Sequence, residues 1–155
     1  EKALEEHSAM RSREGKKLFE DIAGRLDTVE KLVSRVEERS PQTVEEYRNK
    51  LLARMQEVLG STGIEESRIL TEAAIFADKV AVAEETVRLR SHISQMRQMA
   101  ESEEPVGRKM DFLIQEMNRE ANTIGSKGSD IEIARIVVEL KSEIEKMREQ
   151  VQNVE

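Results

Sequence analysis

PVGRKMDFLIQEMNREANTIGSK, residues 105–127, is the stretch of the sequence from which the fold can be predicted. At about 100° per residue, its apolar side chains fall within one arc and recur at intervals of four and three residues. That spacing is typical of a helix that packs along its length. The apolar residues are Met110, Leu113, Ile114, Met117, Ala121 and Ile124. The stretch therefore predicts an amphipathic helix with one side in a helical core.

A row of polar side chains lies beside these apolar residues on the same predicted helix. The polar row consists of Asp111, Gln115, Asn118 and Asn122, and Arg108, Arg119 and Ser126 follow it round the axis. Asn and Asp are mediocre helix formers, so a row of them is a costly way to finish a solvated surface. The row indicates a functional site or the polar half of an interface. The structural alternative is a ladder of hydrogen bonds between helices that fixes their register.

The remainder of the chain also has helical periodicity. We expect one helix over residues 3–39 and a second over 41–59, with Ser40 as N-cap and Pro41 at the first helical position. Further helices are expected over residues 64–80, over 84–100 and, after the turn at Gly128 and Ser129, through Val154. Whether the chain breaks or bends between Val80 and Ala83 stays open. The sequence predicts an all-α fold in which long antiparallel helices form an extended bundle with oligomer contacts.

The composition narrows the class of protein. The 155 residues are 37% charged and 3% aromatic, include no cysteine and carry a net charge of −7. Such a chain cannot form disulfides or thiolate metal sites, which fits a reducing compartment. It has no apolar run long enough to span a membrane, and its negative charge argues against a uniformly basic nucleic-acid-binding surface. Because it opens on Glu1 without Met, we expect it to be a fragment.

Carboxylates are the main candidates for chemistry. Without thiols, they suit Mg²⁺ or Mn²⁺, and these ions suit phosphodiester chemistry. Asp111 and Glu116 diverge by about 140° round the helix and cannot readily share one ion. Asp111 would need help from His92 or from the pair Glu84 and Glu85, whereas Glu116 and Glu120 have the one-turn spacing of a pair that can close on a cation. The alternative for Glu116 and Glu120 is a solvated surface neutralised by lysines.

Histidine and arginine supply the remaining candidates. His92 is either a half-buried residue hydrogen-bonded to a neighbour or a group that transfers protons or binds metal. The amides of the polar row could contact phosphates or base edges of a single strand together with Arg119. A second set of arginines forms either a basic strip or ordinary surface ion pairs. Its members are Arg88, Arg90, Arg97 and Arg108. With Phe112 as the only aromatic residue of the stretch, a passive single-strand binder of the stacking type is disfavoured.

Three segments together resemble the C-terminal portion of the YicC/YloC family of bacterial endoribonucleases. They are RLRSHISQM at 88–96, the stretch at 105–127, and VVELKSEIEKMREQVQNVE at 137–155. The resemblance implies metal-dependent cleavage of single-stranded or structured RNA by a cytoplasmic homo-oligomer, a hexamer in this family, with no membrane or DNA partner. It also implies that residues 1–62 are connecting helices, that 63–155 are the family's C-terminal domain, and that an N-terminal domain is absent here. Ala83, where relatives would have a hydroxyl cap, and Gly128, where they tend to have serine, depart from the pattern.

From the residues and the resemblance together we predict a metal-dependent endoribonuclease. The catalytic residues predicted are His92, Asp111, Glu116 and Glu120, of which the three carboxylates would bind Mn²⁺ or Mg²⁺. The RNA-binding residues predicted are Arg88, Arg90, Arg108, Gln115, Asn118, Arg119, Asn122 and Lys127. Two alternatives from other classes are a structural oligomerisation module, with catalysis in the absent domain, and an RNA-binding adaptor without chemistry.

Overall fold

The computed structural model describes residues 2–59, 65–101, 107–128 and 130–153, except for the side chains of residues 7–12 and 14. These residues form five α-helices and, over those ranges, no strand. The helices are α1 (Lys2–Leu59), α2 (Glu66–Val80), α3 (Ala83–Glu101), α4 (Gly107–Lys127) and α5 (Ile131–Gln152). The predicted all-α class is confirmed. The expected turn at residues 60–63, most of the loop at 101–107, Ser129 and Val154 lie outside the described residues.

Helix α1 is continuous, and the predicted break at Ser40 and Pro41 is wrong. Pro41 lies inside the 58-residue helix, although proline removes one backbone hydrogen bond there. Side chains connect the turns on either side of it. The Thr43 hydroxyl donates to the Ser40 carbonyl at 2.6 Å, and Arg39 forms two hydrogen bonds with Glu46, of 2.8 and 2.9 Å. Ser-Pro is compatible with both a helix start and a helix interior, and here these contacts favour the interior.

Four of the helices form an antiparallel bundle. Helix α1 packs on α3 and α5, and α4 closes the ring by packing on both of these. Ion pairs between helices show their relative directions. In an antiparallel pair, residue numbers that increase along one helix are matched by residue numbers that decrease along the other. Thus Arg25 contacts Glu143 on α5, whereas Arg39, further along α1, contacts Asp130 near the start of α5. Neighbouring helices of the bundle are therefore antiparallel, as predicted.

The core of the bundle consists of the apolar residues that the periodicity predicts. The six residues of the predicted apolar arc in the stretch at 105–127 are all buried. The α5 residues spaced by fours and threes are buried as well, and so are the corresponding residues of α1 and α3. They are Ile133, Val137, Leu140, Ile144, Met147 and Val151 on α5, and Leu18, Ile22, Leu26, Val29, Leu32, Val33, Val36, Leu89, Ile93 and Met96 on α1 and α3. Gly125 permits a close approach of α4 to α5, since a Cβ atom there would lie 3.1 Å from Val137 Cγ1.

Helix α1 extends beyond the bundle in both directions. It is roughly 87 Å long at 1.5 Å per residue, while the buried residues among its described side chains run from Leu18 to Val36. Its C-terminal part packs against α2, where the rings of Tyr47 and Phe76 stack with centroids 3.9 Å apart. The described part of the chain contains no helix long and apolar enough to cross a membrane.

The helical conformation is interrupted between α2 and α3. Helix α2 ends at Val80, and Ala81 is extended, with ψ at 122°. Val82 is buried in the bundle core, and α3 begins at Ala83. The question left open by the sequence is thus settled in favour of a break.

Candidate functional site

The interface between α3 and α4 contains most of the charged residues singled out by the sequence. Its register is fixed by two ion pairs, Arg88 with Glu120 and Glu85 with Lys127. On each helix these residues fall on one side at a spacing of three, four or seven. Glu116 follows that spacing on α4. The antiparallel register therefore places His92, one turn after Arg88, opposite Glu116, one turn before Glu120.

Two carboxylates in this interface are almost completely buried. Glu85 is 2% exposed and Glu120 is 5% exposed. Glu120 Oε1 accepts a hydrogen bond from Arg88 Nε at 2.7 Å, and Glu85 Oε1 accepts one from Lys127 Nζ at 2.6 Å. Arg88 Nη2 is also 3.6 Å from Glu85 Oε1. Buried charges persist when they are paired in this way.

The pairing is visible in the pKa values. Burial raises the pKa of the Glu85 carboxyl, but the hydrogen bond from Lys127, a backbone hydrogen bond and the charges of Lys127 and Arg88 outweigh burial and hold it below its ordinary value. The hydrogen bond to Glu120 raises the pKa of the Arg88 guanidinium. Folding therefore favours the ionised form of the Glu85 carboxyl and the charged form of the Arg88 guanidinium.

His92 lies in the same interface with its hydrogen-bonding capacity unused. Neither Nδ1 nor Nε2 has a hydrogen-bond partner among the described residues, although both atoms are buried. Glu116 is half-buried, and the described residues provide it with no ion pair or hydrogen bond. A neutral imidazole has one N–H donor and one acceptor nitrogen. Buried side-chain nitrogens without any hydrogen-bond partner are rare in folded proteins. His92 and Glu116 thus differ from Glu85 and Glu120, each of which has one carboxylate oxygen held by a cation, although Glu85 Oε2 is also buried without a partner among the described residues.

The polar row lies on the far side of α4. Asp111 is roughly 180° round the helix axis from Glu120, so that Asp111 lies away from the α3–α4 interface. Its Oδ2 accepts a hydrogen bond from Gln115 Nε2 at 3.2 Å, and its Oδ1 is buried without a partner in the described part of the chain. Gln115 and Asn122 are exposed and Asn118 is half-buried. No side chain of the row bonds to another helix over residues 2–59, 65–101, 107–128 and 130–153, which disfavours the ladder interpretation.

The predicted metal ligands are thus divided between two sides of one helix. Glu116 and Glu120 face α3, whereas Asp111 does not. Within the described residues, no group of three or more histidine, aspartate and glutamate side chains is arranged to hold a metal ion.

The predicted RNA-binding cations fall into two groups. Arg88 and Lys127 pair with buried carboxylates, and Arg90 pairs with Glu37 of α1 and donates to Ser34 Oγ at 2.9 Å. Arg97, the other member of the proposed basic strip, pairs with Asp27 and Glu30. Arg108 and Arg119 are exposed and have no ion pair with any residue that the structure describes.

Two features of the structure were missed by sequence reasoning. The first is the cluster in which Arg39 contacts Asp130 at 2.8 Å and Glu46, joining α1 to the N-terminus of α5. Residues 91 positions apart carry no sequence signal of such a contact. The second is a groove of about 270 Å³ beside Phe112, which is 61% exposed. The position of Phe112 outside the apolar arc of α4 was the sequence feature that could have predicted its exposure.

Comparison with known proteins identifies the family. The family model described as endoribonuclease YicC-like, C-terminal, matches residues 36–155. The chain is 53% identical over 156 residues to the probable endoribonuclease YicC of Clostridioides difficile (strain 630), covering 100% of this chain and 53% of that protein. It is 38% identical over 152 residues to the probable endoribonuclease YicC of Haemophilus influenzae (strain ATCC 51907 / DSM 11121 / KW20 / Rd), covering 98% and 52% respectively.

The chain spans about half the length of these curated relatives. Its family match runs from the middle of α1 through α5 and includes the whole α3–α4 interface. The chain accordingly belongs to the family of YicC-like endoribonuclease C-terminal domains.

Proposed function

We propose that the protein to which this chain belongs is an endoribonuclease and that the α3–α4 interface takes part in cleaving the phosphodiester bond. Two curated relatives carry the name probable endoribonuclease. The observation that carries the proposal is the state of His92, whose two buried ring nitrogens have no partner among the described residues. A histidine whose ring nitrogens have no partner in the protein can accept a proton from, or donate one to, a substrate hydroxyl.

The residues of the interface have different roles in the proposed cleavage reaction. His92 transfers the proton, and Glu116, opposite it, orients the imidazole or the attacking hydroxyl. Glu120 and Glu85 keep Arg88 and Lys127 in place through the pairs already described. Arg108 and Arg119, exposed and unpaired within the described residues, contact phosphates of the RNA.

A divalent ion in this interface would take some of its ligands from the protein and the rest from water or substrate phosphates. Mg²⁺ is commonly held by one or two carboxylates together with substrate phosphates, and Glu116 and Glu120 supply two carboxylates one turn apart. These two residues would hold Mn²⁺ or Mg²⁺, which when bound stabilises charge on the phosphate and lowers the pKa of a bound water. Thermal unfolding in increasing Mn²⁺ tests this proposal without reference to activity. The melting temperature should rise, and the rise should be lost in Glu116→Gln.

The cleavage proposal is tested with end-labelled RNA and the full-length protein, with and without chelator. His92→Ala should reduce the cleavage rate by about 10²- to 10⁴-fold, the usual contribution of a general acid or base. Glu149→Gln, an exposed acid on α5 outside the interface, is the matched control and should cleave normally. Cleavage by His92→Ala and Glu116→Gln at the rate of the unmodified protein would remove the roles proposed here.

One observation favours the alternative of an oligomerisation module. Helix α1 extends past the bundle, and the α1–α2 pair exposes Val58, Leu70 and Ile75, apolar surface that a second copy could cover. A homo-oligomer, which the family resemblance implies to be a hexamer, stays a proposal that sedimentation of the full-length protein tests. An assembly that forms normally but neither binds nor cleaves RNA would favour the structural module alone.

A further inference from the structure

Phe112 is a large apolar side chain placed on the outside of the bundle. It is 61% exposed, while its neighbours Leu113 and Ile114 are buried. Relative to the α4 side that meets α3, Phe112 lies roughly 80° round the axis, at the edge of the interface. An exposed aromatic ring beside a groove is a more informative observation than an exposed aliphatic one, because both of its faces can stack.

The groove beside Phe112 lies between the end of α3 and the start of α4. Its volume of about 270 Å³ is near the lower end for small-molecule sites. Its lining combines three apolar side chains, one amide and two cations, with no carboxylate among the described residues: Met99, Leu113, Phe112, Gln95, Arg108 and Lys109. This is the composition expected of a site that takes a flat ring carrying hydrogen-bonding groups and a nearby negative charge.

Among the described residues, the charged side chains that line the groove are both cations, Arg108 and Lys109. Arg108 and Lys109 form no ion pair with the residues that the structure describes, in contrast to Arg88, Arg90 and Arg97 on α3. Arg119 lies two turns beyond Phe112 on the same outer side of α4. In a chain whose net charge is −7, this local concentration of cations without a partner among the described residues favours a polyanion as the occupant.

From these observations we propose that the groove is a nucleobase-stacking subsite for single-stranded RNA. In this arrangement one base stacks on Phe112, Gln95 offers its amide to the base edge, and Arg108 and Lys109 contact the flanking phosphates. The proposal rests on the proposed function, since it assumes that RNA is the substrate. It adds a requirement for an unpaired base next to the α3–α4 interface.

Equilibrium binding of a fluorescently labelled single-stranded RNA to the full-length protein, in chelator to prevent cleavage, tests the subsite. Phe112→Ala should weaken binding by about 5- to 150-fold, the loss typical of one stacked base. The matched control is Val138→Ala, which truncates a side chain that is 68% exposed on α5 and should leave affinity unchanged. With an abasic oligonucleotide, Phe112→Ala should bind like the unmodified protein.

Phe112→Trp provides a second readout that does not depend on truncation. This chain contains no tryptophan, so the difference in emission between Phe112→Trp and the unmodified protein reports on residue 112. Single-stranded RNA should quench that difference, whereas the abasic oligonucleotide should not. A tryptophan at position 138, introduced by Val138→Trp, should be unaffected by either ligand.

The outcomes separate this proposal from the one on which it rests. If the unmodified protein neither binds nor cleaves RNA, the proposed function fails and the subsite fails with it. If the unmodified protein binds single-stranded RNA, and Phe112→Ala binds it equally well or loses affinity equally for the abasic strand, only the subsite is overturned. Dissociation of an oligomer by Phe112→Ala at unchanged RNA affinity would instead assign the ring to contact with a second copy.

Discussion

Arg88 Nε and Glu120 Oε1 are 2.7 Å apart across the α3–α4 interface, and the two residues differ greatly in exposure. The side chain of Arg88 is 46% exposed, whereas that of Glu120 is 7% exposed. Removing the two partners therefore has unequal consequences. An exposed guanidinium that loses its partner is solvated by water, but a buried carboxylate that loses its partner is not.

We predict that Arg88→Met lowers the stability of the folded chain more than Glu120→Gln does. Arg88→Met leaves the Glu120 carboxylate buried without its strongest hydrogen bond, while Glu120→Gln keeps an acceptor for Arg88. The urea midpoint of each variant measures the difference. The double variant should be more stable than Arg88→Met alone. Equal midpoints for the two single variants would contradict the unequal burial.

Acid should destabilise the fold through Glu85. Its pKa is lower in the folded state than its ordinary value, so between those two values the unfolded chain binds more protons and stability rises with pH. The contribution of Glu85 is fully present above about pH 4.3, the ordinary glutamate pKa, and is lost as the pH falls through the lower folded value. Urea unfolding from neutral to acidic pH should show a shallower fall for Glu85→Gln than for the unmodified chain. Parallel curves would argue against this carboxylate as a source of acid sensitivity.

Replacing Pro41 should stabilise the chain. Proline inside a helix lacks the N–H that would bond to the carbonyl four residues earlier and costs about 3 kcal/mol relative to alanine in an unconstrained helix. Because α1 runs through Pro41, we expect Pro41→Ala to gain about 1–3 kcal/mol and to raise the melting temperature. Gln42→Ala, at the neighbouring exposed position, serves as the control. A loss of stability in Pro41→Ala would favour the helix start that Ser40 and Pro41 suggest from the sequence.

Gly125 tests the packing of α4 on α5. A Cβ atom at this position would lie 3.1 Å from Val137 Cγ1, so Gly125→Val forces the two helices apart and should cost about 1–3 kcal/mol. Val137→Ala creates space at the same point and should recover part of that loss in the double variant. Urea unfolding of the four proteins in this cycle gives the coupling energy. Additive effects would mean that the two side chains do not compete for the same space.

Helical periodicity predicted most of the buried apolar residues of α3, α4 and α5, because the side of a helix that faces a bundle core follows the 3.6-residue repeat. It did not predict the burial of Ile136 or of the polar residues Glu85, Thr86 and Glu120. It also did not predict that α1 passes through Pro41, because Ser-Pro is compatible with both a helix start and a helix interior. The contacts that span Pro41, from Thr43 to Ser40 and from Arg39 to Glu46, form only once the helix continues and therefore gave no advance signal.

The same limit applies to the candidate site. A helical projection correctly places Asp111 and Glu116 on different sides of α4. The ion pairs Arg88–Glu120 and Lys127–Glu85, in contrast, depend on the register between two helices. Register is set by tertiary packing, so the sequence could name these cations without indicating that they are paired. Whether His92, Glu116 and the other candidates act on RNA stays a prediction.

The unbroken course of α1 has a mechanical consequence. A rod without a joint at Pro41 transmits a torque applied to the α1–α2 pair directly to the bundle. The extended residue Ala81 is the place where the other connection can yield. Lys127 Nζ donates one hydrogen bond to the Ala81 carbonyl, at 3.2 Å, and another to the Glu85 carboxylate. The segment at Ala81 is therefore connected to the last turn of α4. We therefore expect a displacement of the α1–α2 pair to change the contacts of Lys127 before the rest of the α3–α4 interface.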